Sequence, residues 1–383
     1  MKIIFFSDTY LPNTDGVVSY IVNYRKMLEE MGHEVYVFAP GTKKHRDENR
    51  DPRVHYFNSI PFMPYPEYLV ALPFTSATHM VKEIKPDIVH SHGVATTGIM
   101  AFQAARKIGV PAVVSFHTMV SDATHYITKK ELLQKPLEST IWAYLKWYFP
   151  QFDKVIAPSN FAAAILEKQG IKNVVVKPAC LDLRNFHPKA EGEFVKKRYN
   201  ADGPIVLFVG RLVMEKNLAL LIDAAQKVLN KIPNAKFVIA GKGPAEQDYK
   251  DMVRARGLSD SFVFAGFVPD AELPGLYKAA DAFAFPSFFD TQGLVVLEAM
   301  ATGTPAVVPK DSAAAEFVSD GESGYYFSDS QDFSEKIIQA ISNKGRLEKN
   351  AVASARKHEI REGAKDLLEF YESLLKSKKP EKS

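Results

Sequence analysis

Asp290 and Glu298 lie on either side of a turn that runs into a helix, within the stretch SFFDTQGLVVLEAMATGTP at Ser287–Pro305. Asp281–Pro286 reads as a short buried strand, and the apolar residues of Gly293–Met300 recur at helical spacing. A helix that begins near Gly293 turns its free N–H groups and the positive end of its dipole toward the loop, where an anion can be held. Glu298 then sits about one turn in, roughly 6 Å along the axis at 1.5 Å per residue, while Asp290 stays on the loop. One carboxylate can grip one end of a ligand and the second the other end, with phosphates between. That is the outline of a sugar nucleotide. The plainer alternative makes Glu298 a solvated helix residue and Asp290 a helix-start residue.

The segment VLFVGRLVMEKN offers two cations suited to the same ligand. Gly210 lets the chain turn tightly at the end of a buried strand, and Arg211 and Lys216 follow at a spacing that can aim both charges at one site. Their natural target is a diphosphate, which Arg binds bidentately and Lys attracts as a point charge while a nucleoside diphosphate leaves. Read without context, they are two solvated surface cations. The loop AGKGP, with Gly241, either lines a nucleotide pocket or simply turns the chain. Near the N-terminus, Asp15-Gly16 makes a turn and Val17 starts a helix, which can bring backbone N–H groups close to an acceptor or phosphate. His117 stands at a strand end, at the mouth of a cleft or as a polar cap. His90 and His92 flank one residue, but no nearby cysteine or third imidazole completes a zinc site, so they are expected to shape the cleft or cap helices.

These residues need a scaffold that delivers strand ends to one place. Short β-branched runs alternate with helical patterns along the chain, the signature of parallel sheets made from βαβ units. Lys2–Ser7, Glu34–Ala39, Asp87–His90, Ala112–His117 and Lys154–Ala157 form one series of expected strands. Ile205–Val209, Lys236–Ala240, Phe262–Ala265, Ala282–Pro286 and Ala306–Pro309 form the second. At 383 residues the chain exceeds what a single core usually covers, and two doubly wound α/β domains follow. The join is expected near Pro178–Pro188, giving domains at 1–180 and 181–365, with 366–383 a helix and polar tail that crosses back to the first domain. In such sheets ligands bind beyond the carboxyl ends of the strands, where the residues named above fall.

Composition narrows the function classes. Lys+Arg minus Asp+Glu is 20 − 16 = +4 for residues 1–180 and 28 − 29 = −1 for 181–383, too small an asymmetry for nucleic-acid binding. The single cysteine, Cys180, rules out an internal disulfide framework and fits a reducing compartment, so the expected location is the cytoplasm. The N-terminus enters a strand without a cleavable signal pattern, and no apolar run is long enough to span a bilayer. The aromatic segment Ile141–Phe149, with Lys129, Lys130, Lys135 and Lys146 around it, reads as the buried side of a core helix or as a membrane-facing surface.

Taken together, VGRLVMEKN, AGKGP and DTQGLVVLEAMATGTPAV resemble the phosphate-binding GR…K…G/N segment, the G-x-G-P loop and the E-x7-E region of retaining GT-B glycosyltransferases of family 4, the group 1 glycosyltransferases. The resemblance covers essentially the whole chain. SDTYLPNTDGVVSYI, PYPEYLVALP, HSHGVATTG and FHTMVSDATHYI look closest to diacylglycerol glucosyltransferases and phosphatidylinositol mannosyltransferase-like enzymes. The resemblance implies two Rossmann-like domains facing across a cleft, an acceptor domain first and a nucleotide-sugar donor domain second. It implies that Arg211 and Lys216 bind the donor diphosphate, Glu298 the nucleotide ribose, and Asp290 the transferred hexose. His117 is implied to touch that hexose near the reacting centre, Gly16 and Val17 to lie beneath the donor phosphates, and Gln292, Gly293, Leu294 and Gly241 to complete the donor site.

The implied activity moves a hexose, glucose or mannose, from a donor such as UDP-glucose or GDP-mannose to a glycan or lipid hydroxyl, with retention of configuration. No cofactor or essential metal is expected, and Asp8 and Asp182 stand alone rather than in an Asp-x-Asp pair. A lipid acceptor implies peripheral contact with the inner face of the plasma membrane.

Departures from the family pattern are Asp290 where Glu is usual, Cys180 where glycine is usual, and Ser312-Ala313-Ala314-Ala315 where glycine is common. They keep open the alternative of a catalytically impaired sugar-nucleotide-binding protein of the same fold. A dinucleotide oxidoreductase is disfavoured because no G-x-G-x-x-G follows Lys2–Ser7 or Ile205–Val209. A glycosidase is disfavoured because both carboxylates lie beside a helix N-terminus and a cationic site.

Overall fold

The computed structural model describes residues 1–13, 15–63, 65–72, 77–119 and 131–378. The chain divides into two compact units, Met1–Ala179 together with the helix Ile360–Lys378, and Cys180–Glu359. In the first unit, strands β1 (Lys2–Phe6), β2 (Glu34–Gly41), β3 (Val54–Phe62), β4 (Tyr65–Ala71), β5 (Ile88–Ser91), β6 (Ala112–Ser115), β7 (Lys154–Ala157) and β8 (Val174–Val176) make one sheet. Their order is β4-β3-β2-β1-β5-β6-β7-β8, parallel except for the antiparallel pair of β3 with β4. The chain winds outward from β1 to β4 and returns to β5 beside β1, so the switch point lies between β1 and β5. Ser7 and Asp8 leave one strand there and His92 and Gly93 the other.

The second unit repeats the plan with β9 (Ile205–Val209), β10 (Lys236–Ala240), β11 (Phe262–Gly266), β12 (Ala282–Ala284), β13 (Ala306–Pro309) and β14 (Gly324–Phe327). All pairs are parallel in the order β11-β10-β9-β12-β13-β14, which puts the switch point between β9 and β12. The two-residue period of a strand explains its two cores. Ile205, Leu207 and Val209 pack with Val296, Leu297 and Met300 on one face, while Val206 and Phe208 pack with Leu221, Ile222 and Val228 on the other.

The helix Ile360–Lys378 buries Ile360, Ala364, Leu367, Leu368, Tyr371 and Leu374, an apolar stripe at helical spacing. It packs against the helix Gly16–Glu30, and Lys177 is ion-paired with Asp366 at 2.6 Å. In the segment Ile141–Phe149, Trp142, Leu145, Tyr148 and Phe149 go into the core and only Lys146 and Trp147 of its basic and large aromatic residues are well exposed. Lys129 and Lys130 lie outside the described residues, as do Pro73 and residue 64 of the segment PYPEYLVALP.

Candidate functional site

In the second unit the loop after β9 and the loop after β10 pack backbone to backbone. Leu212 N donates to Lys242 O at 3.0 Å, Ala245 N to Leu212 O at 3.0 Å, and Gly210 N to Ala240 O at 3.0 Å. A Cβ on Gly241 would lie 1.9 Å from the Gly210 carbonyl oxygen, and one on Gly243 would lie 2.2 Å from that of Leu212. The AGKGP loop is therefore a turn whose glycines let it press against the segment that carries Arg211. Gly241 also holds φ +132°, so Gly241→Ala combines a clash with backbone strain. It is expected to destabilise the second unit by about 2 kcal/mol or more. An unchanged thermal midpoint for Gly241→Ala would show that the close approach has no such role.

Arg211 follows Gly210 directly, and Lys216 ends a single 3-10 turn, Met214–Lys216. Asn217 then adopts φ +53°, a left-handed position that asparagine tolerates, and begins the helix Leu218–Lys231. Its amide donates to Pro286 O at 3.4 Å, tying this turn to the exit of β12. The Lys216 ammonium donates to Asp290 Oδ1 and lies 5.8 Å from the centre of the Phe285 ring. The other carboxylate oxygen, Asp290 Oδ2, is buried with no hydrogen-bond partner. Burying such an acceptor is costly unless something supplies a donor. Lysine carries three donors, so Lys216 can keep Asp290 and still meet a phosphate.

Gln292, Gly293 and Leu294 follow in sequence at the start of the helix Leu294–Ala301. Gly293 is the cap residue at φ +83°, ψ +57°, and no side chain caps this terminus. A Cβ there would come 3.2 Å from Phe285, the same ring that underlies Lys216. Ala313 and Ala314 are buried in the adjacent 3-10 turn, so the small residues of Ser312–Ala315 pack beneath this site.

Glu298 is not a solvated helix residue. Its Oε2 accepts a hydrogen bond of 2.6 Å from Tyr277, a fully buried tyrosine on the helix Leu273–Ala279. Although the residue keeps some accessible surface, protein encloses its carboxyl, and burial pushes its pKa up to about 7. The Tyr277 hydrogen bond opposes that rise and the charge of Asp270 adds to it. A carboxyl raised in the folded state contributes stability that is complete below its unfolded pKa and is lost as pH climbs through about 7. A ligand whose hydroxyls donate to Glu298 favours the ionised form, so binding below pH 7 releases a proton. Calorimetry of nucleoside diphosphate binding in buffers of different ionisation heat is expected to show a larger proton release in the wild type than in Glu298→Gln, where only the ligand's own phosphate can lose a proton. Equal proton release by both proteins would show that Glu298 takes no part in binding.

In the first unit Asp15 caps the helix Gly16–Glu30, its Oδ1 accepting from Val17 N and Val18 N at 2.9 Å each. The Val17 N–H is thus held by a carboxylate in this structure, while a Cβ added to Gly16 would meet nothing within 4 Å. His117 follows β6, and its Nε2 lies 3.0 Å from His92 Nδ1. Burial lowers the His117 pKa to about 4 and holds His90 and His92 well below the usual imidazole range. Burial thus favours the neutral form of all three rings.

His90 uses both nitrogens, with Tyr371 Oη at 2.6 Å and Ser115 Oγ at 2.8 Å. Among the described residues no group of three or more His, Cys, Asp or Glu side chains is placed to hold a metal ion. Asp8 accepts from Ala95 N at 2.8 Å and from Thr97 Oγ1, and so secures the helix Thr96–Ile108. Asp182 accepts from Arg184 Nε at 2.9 Å and Nη2 at 2.8 Å and anchors the chain near the start of the second unit.

The second unit thus brings Arg211, Lys216, Asp290, Gln292, Gly293, Leu294, Glu298 and Gly241 to the loops beyond β9, β10 and β12. The first unit carries Gly16, Val17 and His117 beyond β1 and β6. Sequence reasoning missed Tyr277, whose signal was a tyrosine on the buried face of a short helix, where its hydroxyl needs a partner. It also gave His92 no role beside His117.

Two Rossmann-like units, each with these loops at or beside the switch point of its sheet, give the GT-B fold. Residues 14–185 match the family model for Glycosyltransferase Family 4 and residues 190–358 that for glycosyl transferases group 1, and the chain belongs to this family. It is 29% identical over 351 residues to the alpha-monoglucosyldiacylglycerol synthase of Streptococcus pneumoniae, across 89% of this chain and 78% of the relative. It is 26% identical over 353 residues to the GDP-mannose-dependent alpha-mannosyltransferase of Corynebacterium glutamicum, across 89% and 79%. The crystal structure of Anabaena Alr3699/HepE in complex with UDP and glucose superposes with a TM-score of 0.76 at 19% identity, over 97% of this chain and 100% of that one.

Proposed function

We propose that this protein moves a hexose, glucose or mannose, from a nucleoside-diphosphate sugar to a lipid hydroxyl with retention of anomeric configuration. The observation that carries the reading is the Lys216–Asp290 pair beyond β9 and β12, a cation beside a buried carboxylate oxygen that lacks a partner. In this reading the sugar hydroxyls donate to Asp290 Oδ2. Lys216 and Arg211 neutralise the diphosphate, whose charge grows as the glycosidic bond breaks. The uncapped terminus at Gln292, Gly293 and Leu294 adds N–H donors and the helix dipole. Glu298 takes the ribose hydroxyls and Gly241 keeps the pocket wall thin. On the first unit, the helix start at Gly16 and Val17 is the proposed contact to the phosphates and His117 the proposed contact to the hexose. Protein cations then do the work of a divalent ion, and transfer is expected to survive EDTA.

The names of the Streptococcus and Corynebacterium relatives support a glucosyl or mannosyl donor, and that of the former a diacylglycerol-type acceptor. For the membrane, the first unit offers the hairpin of β3 and β4, where Ile60 and Met63 are exposed. The helix Lys43–Glu48 lies beside β3 through the contact of His45 with Tyr56, and exposes Lys43, Lys44 and Arg46. Asp47 and Glu48 of the same helix are exposed too, so its net charge is only 3 − 2 = +1, and the exposed apolar residues Ile60 and Met63 carry most of the case for peripheral contact. No helix among the described residues is long and apolar enough to cross a membrane.

The test is thermal unfolding with UDP, GDP, UDP-glucose and GDP-mannose. A donor at about 100 times its Kd adds about 2.7 kcal/mol of stability, an easily read rise in midpoint. The donor that stabilises identifies the base. Stabilisation by none of the four would contradict the proposal.

A further inference from the structure

His92 is buried, yet its Nε2 has no hydrogen-bond partner, while its Nδ1 meets His117 Nε2 at 3.0 Å. Its ring is held on several sides. Phe5 packs edge-on at 4.8 Å between centroids, His90 lies at 4.0 Å and Tyr20 at 5.4 Å. His90 is itself pinned by Tyr371 from the helix Ile360–Lys378 and by Ser115. The His92 ring therefore has little freedom to turn, and its tautomer follows from its surroundings. A proton on Nε2 would leave a buried N–H without an acceptor, the rarer and costlier kind of orphan. With the proton on Nδ1, the orphan is only an acceptor nitrogen and the N–H is spent on His117. An apolar ring of similar size would fill this space without an orphan of its own and would forfeit only the bond to His117, so packing alone does not account for a histidine here.

We propose that His92 is a positioning residue: its Nδ1–H donates to His117 Nε2 and so fixes the orientation of the His117 ring and its neutral tautomer, with the proton on Nδ1. The inference rests on the reading of His117 given above. It adds that the tautomer and orientation of His117 are set from behind, by a residue that does not touch the sugar. Charge transfer to substrate is not part of this role.

The experiment compares His92→Phe, which keeps an aromatic ring, with His92→Asn, whose side-chain amide can place a donor where Nδ1 stands. Turnover is measured with UDP-glucose or GDP-mannose and diacylglycerol vesicles, and as donor hydrolysis in water. His92→Phe is expected to lose up to roughly 10²-fold in kcat, with affinity for UDP or GDP unchanged, and His92→Asn to recover most of the loss. Spectra of isotope-labelled histidine are expected to show both His92 and His117 protonated on Nδ1. Wild-type kcat in His92→Phe, equal impairment of His92→Asn, or a His117 proton on Nε2 would each overturn the proposal. His117→Ala separates the two layers. If it turns over like the wild type, the reading of His117 itself fails; if it is impaired, adding His92→Phe is expected to cause no further loss.

Discussion

Lys216→Ala and Arg211→Ala are each expected to lower turnover roughly 10²-fold or more, a loss of about 2.7 kcal/mol or more of transition-state stabilisation. The reason is timing. A nucleoside diphosphate gains charge as the sugar leaves it, so a fixed cation interacts more strongly with the transition state than with the bound donor. Lys216 is fixed before any ligand arrives, by Asp290 on one side and by the 3-10 turn that ends in the left-handed Asn217. Loss should therefore appear mainly in kcat. Steady-state kinetics with the stabilising donor checks it, and near-native kcat in both variants would remove the diphosphate assignment.

Asp290→Asn and Glu298→Gln are expected to separate transfer from nucleotide binding. Asp290→Asn keeps the shape of the loop but weakens both the hold on Lys216 and the acceptor offered to sugar hydroxyls. Its kcat should fall at least as far as that of Lys216→Ala. Affinity for free UDP or GDP should not fall, because a neutral Asn no longer competes with phosphate for the Lys216 ammonium. Glu298→Gln should do the reverse, lowering the affinity for UDP or GDP roughly tenfold while the donor that does bind still reacts. Titration calorimetry together with kcat decides between them. If Asp290→Asn abolished diphosphate binding and Glu298→Gln left it intact, the two roles would be exchanged.

The sequence reading was strongest where one element supplied both position and chemistry. β9, β10 and β13 are buried almost throughout, so they appear as continuous apolar runs, and Arg211 and Lys216 follow β9 closely. The strands it did not anticipate are β3, β4, β8 and β14. Three of these form sheet edges, and β3 stands next to one. β8 is three half-buried valines, and β3 exposes Asn58, Ile60 and Pro61, so neither carries the apolar run of a central strand.

At the site, the pairs Glu298–Tyr277 and His117–His92 were not legible for a related reason. Each joins two elements far apart in the chain, and only the folded register makes them neighbours. Gly241 belongs with them. Its spacing marked a loop, but the need for glycine comes from the Gly210 carbonyl that a side chain would strike.

The measurement that tests the account most directly follows sugar label from UDP-glucose or GDP-mannose into the organic phase, using anionic vesicles that contain diacylglycerol, at low salt. The account predicts enzyme-dependent labelling of lipid by the donor that raises the thermal midpoint, with the product in the same anomeric configuration as the donor and labelling lost in Asp290→Asn. A wild-type protein that binds a nucleoside diphosphate yet labels no lipid with either donor would contradict it.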